Sequence, residues 1–321
     1  MLGTLSLVAL LQVAPTQELA PGARYDPAIP TLEEVVGHGF REEITAPDQV
    51  VRYFEALARA APNRTRLIRY AESWEGRPLV VLVVGSRDRI ASLDDVRAGL
   101  RRLAYPDGLS SADADALVER LPVVTALMHG VHGNEISSSG AAMAEAYHLL
   151  AAQGDPTVDL ILRESLVLID PVENPDGRAR FVQHNTMSRA RWPNEATYSA
   201  EHDEPWPGGR VNHYLFDLNR DLFIQSQPET QGKVDVFPST GRTSSSTCTR
   251  WAATRRTSSR RPRRPRIRGT ASDRRRSWTS SGARTRPCSI VVASRTSTVT
   301  STTSSIRATW TCGRWGTERW G

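Results

Sequence analysis

The stretch Ala126-Leu-Met-His-Gly-Val-His-Gly-Asn-Glu135 decides the fold of this chain. The apolar residues Val123–Met128 lead into it, and a helix-like run of small residues follows from Ser137 to Leu150. A buried strand, a glycine turn and a helix start in this order are typical of one unit of an α/β sheet. His132 and Glu135 lie in the turn, three residues apart, at a strand end where side chains are held rigidly and stay accessible.

The donor types in this turn are those of a zinc site. Imidazole nitrogen and carboxylate oxygen both bind Zn2+. In an ordinary loop, by contrast, His132 would bond to backbone and Glu135 would be a carboxylate favoured by the dipole of the following helix. The three cysteines, Cys248, Cys288 and Cys312, all lie after residue 240. The preceding part of the chain therefore forms no disulfide, and any metal it binds takes His and carboxylate ligands.

Predicted strands and helices alternate along the chain before residue 178. This alternation, with polar loops at the carboxyl ends of the strands, predicts an α/β fold, a three-layer α/β/α sandwich with a mixed, mostly parallel sheet. Asp48 is the predicted cap of the first helix. The elements are a helix at 48–61, a hairpin of 65–73 and 79–84, a helix at 92–103, a strand at 123–128, a helix at 137–152, a strand at 166–170, an irregular region at 178–209 and a helix from 227.

Three short motifs stand in order along the chain. They are His-Gly-Asn-Glu at 132–135, Asn-Pro-Asp-Gly at 174–177 and Asp-Leu-Asn-Arg at 217–220. Together with Ser73-Trp-Glu-Gly-Arg-Pro78, they resemble the zinc carboxypeptidase family, the carboxypeptidase A-like metallopeptidases, over roughly residues 45–236. The resemblance implies hydrolysis of the C-terminal peptide bond of a peptide or protein with a free C-terminus. It also implies that the sheet is incomplete at its C-terminal end.

The resemblance assigns roles to particular residues. His132 and Glu135 would bind Zn2+, and a later histidine would complete the site. Asn219 and Arg220 would bind the substrate carboxylate, for which a planar guanidinium is well suited.

A further arginine near the metal would stabilise the developing oxyanion. Arg189 and Arg191 are the candidates, and the sequence does not choose between them. Asn-Pro-Asp-Gly is a turn signal in any fold and is assigned to the scaffold. The remaining histidines considered are expected to be structural or at the surface: His129, His148, His184 and His213.

The chain divides into four parts. Residues 1–20 are a possible signal-like apolar segment, 21–46 an extended segment, 47–236 the N-terminal part of a zinc carboxypeptidase domain and 237–321 a basic low-complexity tail. The apolar run at 2–14 is too short to span a bilayer, and no basic residue precedes Arg24. We expect a secreted or periplasmic protein; the alternative is a cytoplasmic protein whose N-terminal run is a short buried segment. No other stretch of the sequence is expected to be transmembrane.

The tail differs from the rest of the chain in charge and composition. Residues 239–321 carry 19 Arg and two acids, a formal charge of +17, whereas residues 1–238 carry −11. The tail is rich in Arg, Ser and Thr, and such a composition buries too little apolar surface to fold, which predicts disorder. An arginine-rich arm could bind nucleic acid. We disfavour this role, because the tail has a single arginine cluster and no interleaved aromatic residues.

A shifted reading frame is a second explanation of the tail. The segment Thr243–Trp251 can be written ACG TCG TCG TCG ACC TGC ACG AGA TGG. Read from the third base, this gives Val-Val-Val-Asp-Leu-His-Glu-Met, a buried strand followed by His-Glu. We hypothesise that the frame slips between about Gly232 and Ser239. Resequencing the gene tests this, since an unbroken frame with codons that cannot yield that strand would exclude it.

The consequence for activity is large. No histidine follows His213, so the third ligand that the resemblance implies is missing, and Glu318 in the tail is no match for the family's general base. The catalytic residue therefore stays unassigned, and we expect the chain as written to be inactive or nearly so. The enzyme-class alternative is a zinc-dependent deacylase or amidohydrolase of similar fold, which a panel of acyl-amino acids against peptides would distinguish.

Overall fold

A five-stranded mixed sheet lies at the centre of the fold. The structure is a computed structural model that describes residues 19–236, except 193, 195 and 197, and the backbone of residues 243–248. All of these belong to one compact unit, Met1–Arg263. A second unit, Arg264–Gly321, lies outside the described residues, as do most of the predicted tail and nearly all of the signal-like segment.

The strand order in the sheet is β2-β3-β6-β4-β7. β2 pairs with β3 and β3 with β6 in antiparallel fashion, whereas β4 pairs in parallel with both β6 and β7. The sheet is mixed, as predicted, but it is only half parallel, because the β2–β3 hairpin joins the parallel strands through β3. The strands are β1 (Arg24–Tyr25), β2 (Thr65–Glu72), β3 (Pro78–Val84), β4 (Val123–His129), β5 (Ala152–Gln153), β6 (Ser165–Asp170) and β7 (Thr243–Cys248).

Strand β7 lies within the predicted tail. Its backbone extends along β4, with His129 paired to Cys248 at the end of the register. The prediction of disorder therefore does not hold for Thr243–Cys248, which are the residues whose shifted reading gives an apolar strand. The small β1–β5 pair is antiparallel and separate from the main sheet.

Ten helices occur in the described part of the chain. None of them combines the length and the apolar composition that a bilayer crossing needs. They are α1 (Leu32–Val36), α2 (Pro47–Ala60), α3 (Arg87–Ala91), α4 (Leu93–Ala104), α5 (Ser111–Arg120), α6 (Ser137–Ala151), α7 (Pro156–Glu164), α8 (Pro175–Ser188), α9 (Leu218–Asp221) and α10 (Pro228–Val236).

Helices cover both faces of the sheet. Val81 and Val83 of β3 face a cluster that includes Val96 and Leu100 of α4 and Leu117 of α5. The intervening residues of β3 are buried as well, and α2 and α6 contact this strand from the other layer. Because successive side chains of a strand point to opposite faces, burial of both sets confirms the predicted three-layer sandwich.

Two local predictions need correction. Asp48 does not cap α2. The N-cap is Ala46, and Pro47 occupies the first turn, where its missing N–H costs nothing. The Asn-Pro-Asp-Gly motif is not a simple turn but the start of α8, and this helix replaces the first part of the predicted irregular region. Asn174 accepts a hydrogen bond from Gly177 N at 2.9 Å and so caps a helix that runs to Ser188.

Candidate metal centre

The predicted metal-binding turn connects the end of β4 to the start of α6. The loops that follow β4 and β6 lie side by side, since these strands are parallel neighbours. Glu173 N donates to His129 O at 2.9 Å and Asn174 N donates to Gly130 O at 3.0 Å. Gly130 has a φ of +69°, which glycine adopts without strain. The turn is therefore held by backbone hydrogen bonds at the carboxyl edge of the sheet, where α/β folds place their ligands.

The two predicted metal ligands are in direct contact. His132 is buried, with 3% of its surface exposed, and its Nδ1 lies 2.9 Å from Oε1 of Glu135. The other ring nitrogen, Nε2, lies 3.1 Å from Oδ1 of Asp217. The first and third motifs of the sequence thus meet at one imidazole, and Asp217 is a site residue that sequence reasoning missed.

Asp217 is suited to orient this imidazole. Partial burial disfavours its charge, but hydrogen bonds from Arg210 and His132 outweigh this and hold the pKa of Asp217 below its usual range. Both ring nitrogens of His132 face a carboxylate, but Nδ1 also lies 3.4 Å from Arg210 Nη1, which can only donate. Nδ1 is therefore the acceptor, and a neutral His132 ring carries its N–H at Nε2. Nδ1 then presents its lone pair to Glu135, which is the orientation of a metal-binding histidine supported by a carboxylate.

The pair formed by His132 and Glu135 fits a metal ion. With the ring proton bonded to Asp217, the Nδ1 lone pair faces a carboxylate oxygen at 2.9 Å. Two facing acceptors are stabilised by a cation between them, either the second proton of an imidazolium or a metal that accepts both nitrogen and oxygen, such as Zn2+. Within the described residues, no three His, Cys, Asp or Glu side chains form a metal-holding group.

Arg210 is a second site residue that the sequence did not reveal. Its Nη1 lies 3.4 Å from His132 Nδ1, and its Nη2 donates to Oδ2 of Asp217 at 2.9 Å. The side chain is about half exposed (47%), so the guanidinium lies beside the metal-facing nitrogen and is accessible to solvent. The only sequence signal is its place in Pro207-Gly-Gly-Arg210, just before the third motif.

Asn219 and Arg220 lie on α9, two and three residues after Asp217. Asp217 is the N-cap of this helix and accepts a hydrogen bond from Asn219 N at 3.0 Å. Both side chains are exposed, and Arg220 Nη1 donates to the adjacent Asn219 carbonyl at 3.3 Å. The predicted carboxylate-binding pair is therefore on the short helix capped by a residue that contacts His132, and it is accessible.

The two other predicted arginines have different neighbours. Arg189 forms an ion pair with Glu43, with Nη2 and Oε2 3.6 Å apart. The guanidinium of Arg191 lies 5.3 Å from the ring centre of Trp192. In the part of the chain that the structure describes, neither arginine has a recorded contact with His132 or Glu135.

The other histidines form pairs away from this imidazole. His129 lies 3.1 Å from Glu145. Tyr25 lies 3.2 Å from His148, and Glu75 lies 3.1 Å from His213. His184 Nε2 is 2.9 Å from the carbonyl of Ala200.

A buried polar network lies beneath the site, at the end of β6. Tyr70 donates to Asp170 at 2.6 Å, and Lys233, the only lysine of the chain, pairs with Glu173 at 2.5 Å. Burial and the neighbouring Glu173 raise the pKa of Asp170 to about 7, against the opposing effects of Tyr70, Lys233 and His129. This network fixes α10 and β2 against the loop that carries Glu173.

A buried imidazole with an orienting carboxylate, at the carboxyl edge of a three-layer sandwich, defines a candidate metal centre of an α/β protein. The sequence model of the zinc carboxypeptidase family matches residues 50–311. The chain therefore belongs to the zinc carboxypeptidase family. The match extends beyond residue 236, where the resemblance was expected to end. A search of curated proteins finds no match.

The chain is also similar, at low sequence identity, to several solved structures. Carboxypeptidase A from Helicoverpa armigera is 16% identical, with 60% of this chain and 42% of that chain covered and a TM-score of 0.35. Thrombin-activatable fibrinolysis inhibitor is 15% identical, with 60% of this chain and 43% of that chain covered and a TM-score of 0.36. A metallo-carboxypeptidase from Burkholderia cenocepacia is 15% identical, with 54% of this chain and 33% of that chain covered and a TM-score of 0.31. The chain covers less than half of the length of each of these three proteins.

Proposed function

We propose that this chain carries the zinc-binding and carboxylate-binding residues of a metallocarboxypeptidase that removes the C-terminal residue of a peptide or protein. The observation that carries the proposal is the 3.1 Å contact between His132 Nε2 and Asp217 Oδ1. This contact links the turn that carries His132 and Glu135 to the helix that carries Asn219 and Arg220. Membership of the zinc carboxypeptidase family supports the reaction class.

His132 and Glu135 would hold Zn2+ through Nδ1 and a carboxylate oxygen. Bound zinc supplies a Lewis acid that makes water acidic enough to attack a peptide carbonyl near neutral pH. Asp217 keeps the His132 proton at Nε2 and so keeps Nδ1 available to the metal.

Asn219 and Arg220 would recognise the substrate by its C-terminal carboxylate. A guanidinium can donate two parallel hydrogen bonds to a carboxylate, and the side-chain amide of asparagine adds a further donor. Both side chains are exposed and have few partners of their own. A free C-terminus is thus the chemical group that this helix suits.

Arg210 is the arginine whose position best suits oxyanion stabilisation, ahead of Arg189 and Arg191. Its guanidinium lies beside His132 Nδ1 and is oriented by Asp217. A fixed donor next to the metal stabilises negative charge that develops on the carbonyl oxygen of the substrate. The contacts of Arg189 with Glu43 and of Arg191 with Trp192 favour structural roles.

We infer that the chain as written has little or no turnover. His132 and Glu135 supply two ligands, and no histidine follows His213 in the sequence. The general base also has no candidate among the described residues near His132. A slipped reading frame after about residue 232 accounts for both gaps. Export to the periplasm or outside the cell is proposed from the apolar N-terminal run alone.

The test is a paired measurement on the purified full-length chain and its His132→Ala variant. Zinc content after equilibration and release of C-terminal amino acids from blocked peptides are measured together. We expect zinc retention that depends on His132, with no measurable amino-acid release. Stoichiometric zinc with turnover would disprove the proposed inactivity, and zinc binding unchanged in His132→Ala would disprove the site.

A further inference from the structure

The segment that leads into and begins α8 contacts the metal-binding turn at several points between Gly130 and Ile136. Before the helix, the Glu173 and Asn174 amides bond to the end of β4. One turn later, the backbone of Gly177 and Arg178 packs against Gly133, and the Arg178 side chain donates to the carbonyl of Ile136. The turn that holds His132 and Glu135 is therefore bounded on both sides by one segment.

Gly133 marks the tightest point of this contact. A Cβ at this position would lie 2.0 Å from Arg178 N and 2.3 Å from Gly177 C. It would also lie 2.7 Å from the carbonyl oxygen of Gly209, the residue before Arg210. Any side chain would force three backbones apart, so the turn, α8 and the Arg210 loop meet at a fixed separation.

Arg178 is an unusual residue to find at such a position. Only 2% of its surface is exposed, and burial lowers its pKa to about 10. Among the described residues, no carboxylate forms an ion pair with it. Its bonds go to backbone carbonyls instead: Nε donates to Thr45 O at 3.0 Å and Nη1 donates to Ile136 O at 3.2 Å.

Two physical effects disfavour a positive charge at the position of Arg178. Burying an unpaired charge is costly, and Ile136 is the N-cap of α6, where the helix dipole opposes positive charge. The guanidinium is thus retained at a position where an apolar side chain would avoid both costs. What it provides is two donors, one to the Thr45 carbonyl and one to the Ile136 carbonyl, which lies in the second peptide group after Glu135.

We propose that Arg178 is a positioning residue for the metal-binding turn. Its side chain holds the Ile136 carbonyl, at the end of the turn that carries Glu135, while its own backbone packs on Gly133. The inference rests on the proposed zinc site for its functional meaning, but the positioning itself can be measured without metal.

The test compares Arg178→Met with Arg64→Met in the full-length chain. Arg64 is a matched control, since it also donates to a backbone carbonyl, that of Leu150 at 2.6 Å, away from the turn. Two quantities are measured: amide hydrogen exchange of residues 132–138 without metal, and zinc affinity by competition with a chelator.

In Arg178→Met we expect exchange in the turn to accelerate about 10- to 100-fold, because a charged donor to the Ile136 carbonyl is lost. Zinc affinity should fall about 10- to 100-fold, as is typical when a supporting residue of a ligand is removed. Arg64→Met should leave both quantities at the wild-type value. A turn that exchanges at the wild-type rate in Arg178→Met, or equally fast in both variants, would overturn the proposal.

The outcomes also separate this inference from the proposed function. Accelerated exchange in a chain that never binds zinc would support positioning and refute the zinc site. If Arg178→Met does not fold, Arg178→Lys carries the same two measurements, since it keeps the charge and loses the two-pronged donor. Wild-type exchange and wild-type zinc affinity in Arg178→Lys would overturn the proposal.

Discussion

At the scale of single residues, the contact between His132 and Asp217 shows what sequence spacing can predict. His132 and Glu135 lie in one turn, so their proximity follows from spacing alone. Asp217 is 85 residues away and Arg210 is 78 residues away, and their approach depends on how the chain folds back. The Asp-Leu-Asn-Arg motif placed Asn219 in the same site and contains Asp217, but it gave this aspartate no role.

Replacing Asp217 by Asn should weaken zinc binding about 10- to 100-fold, because the amide no longer fixes the imidazole proton at Nε2. Chelator competition measures this change. Asp107→Asn, in an exposed loop, is the control and should match the wild type. Equal zinc affinity in the two variants would contradict the orienting role of Asp217.

Asp170 should make the stability of the protein depend on pH. Burial and Glu173 raise its pKa from the ordinary 3.8 to about 7, so folding favours the protonated form. The resulting stability is fully present below about pH 4 and is lost as the pH rises through about 7. Urea unfolding should show a free energy of unfolding on the order of 2 kcal/mol lower at pH 8 than at pH 5 from this group.

The Asp170→Asn variant isolates this contribution. Asparagine cannot ionise, and its side-chain oxygen can still accept the hydrogen bond that Val172 N donates to Oδ1 at 3.3 Å. The variant should therefore lose less stability than the wild type between pH 5 and pH 8. Parallel pH profiles for the two proteins would show that another group dominates.

At the scale of elements, α8 shows why one motif predicted the wrong local structure. Asparagine, proline and aspartate favour both turns and helix starts, so Asn174–Gly177 alone does not decide between them. Tertiary contacts decide, since the buried Asp176 accepts hydrogen bonds from Ser73 and Arg77, both at 2.7 Å. The helix also lacks a clear apolar period, because it buries polar residues such as Arg178.

Asn174→Ala should destabilise the protein by about 1–3 kcal/mol. The change removes a helix cap, and it also removes the bond from Asn174 Nδ2 to the Arg210 carbonyl at 3.1 Å. Chemical denaturation measures this loss. Ser110→Ala, which removes the cap of α5 that binds Asp113 N at 3.1 Å, should cost less. Zinc affinity should fall only in Asn174→Ala, and an equal effect in both variants would argue against a link between α8 and the site.

At the scale of the whole molecule, the layer architecture could be predicted because it follows from alternating apolar strands and helices. The share of parallel strands could not, since it depends on how the β2–β3 hairpin joins β6. The composition change after residue 238 is plain in the sequence, yet the backbone of Thr243–Cys248 still pairs with β4. The hypothesis of a shifted frame would place an apolar strand at this same position.

The central claim is that His132 and Glu135 are two of the three ligands of a zinc site, and a zinc titration of the full-length chain tests it most directly. We expect one saturable site with a Kd on the order of micromolar or weaker, far from the affinity of complete structural sites, and no such site in His132→Ala. Nanomolar binding would contradict the missing third ligand. No binding, or binding unchanged in His132→Ala, would contradict the site itself.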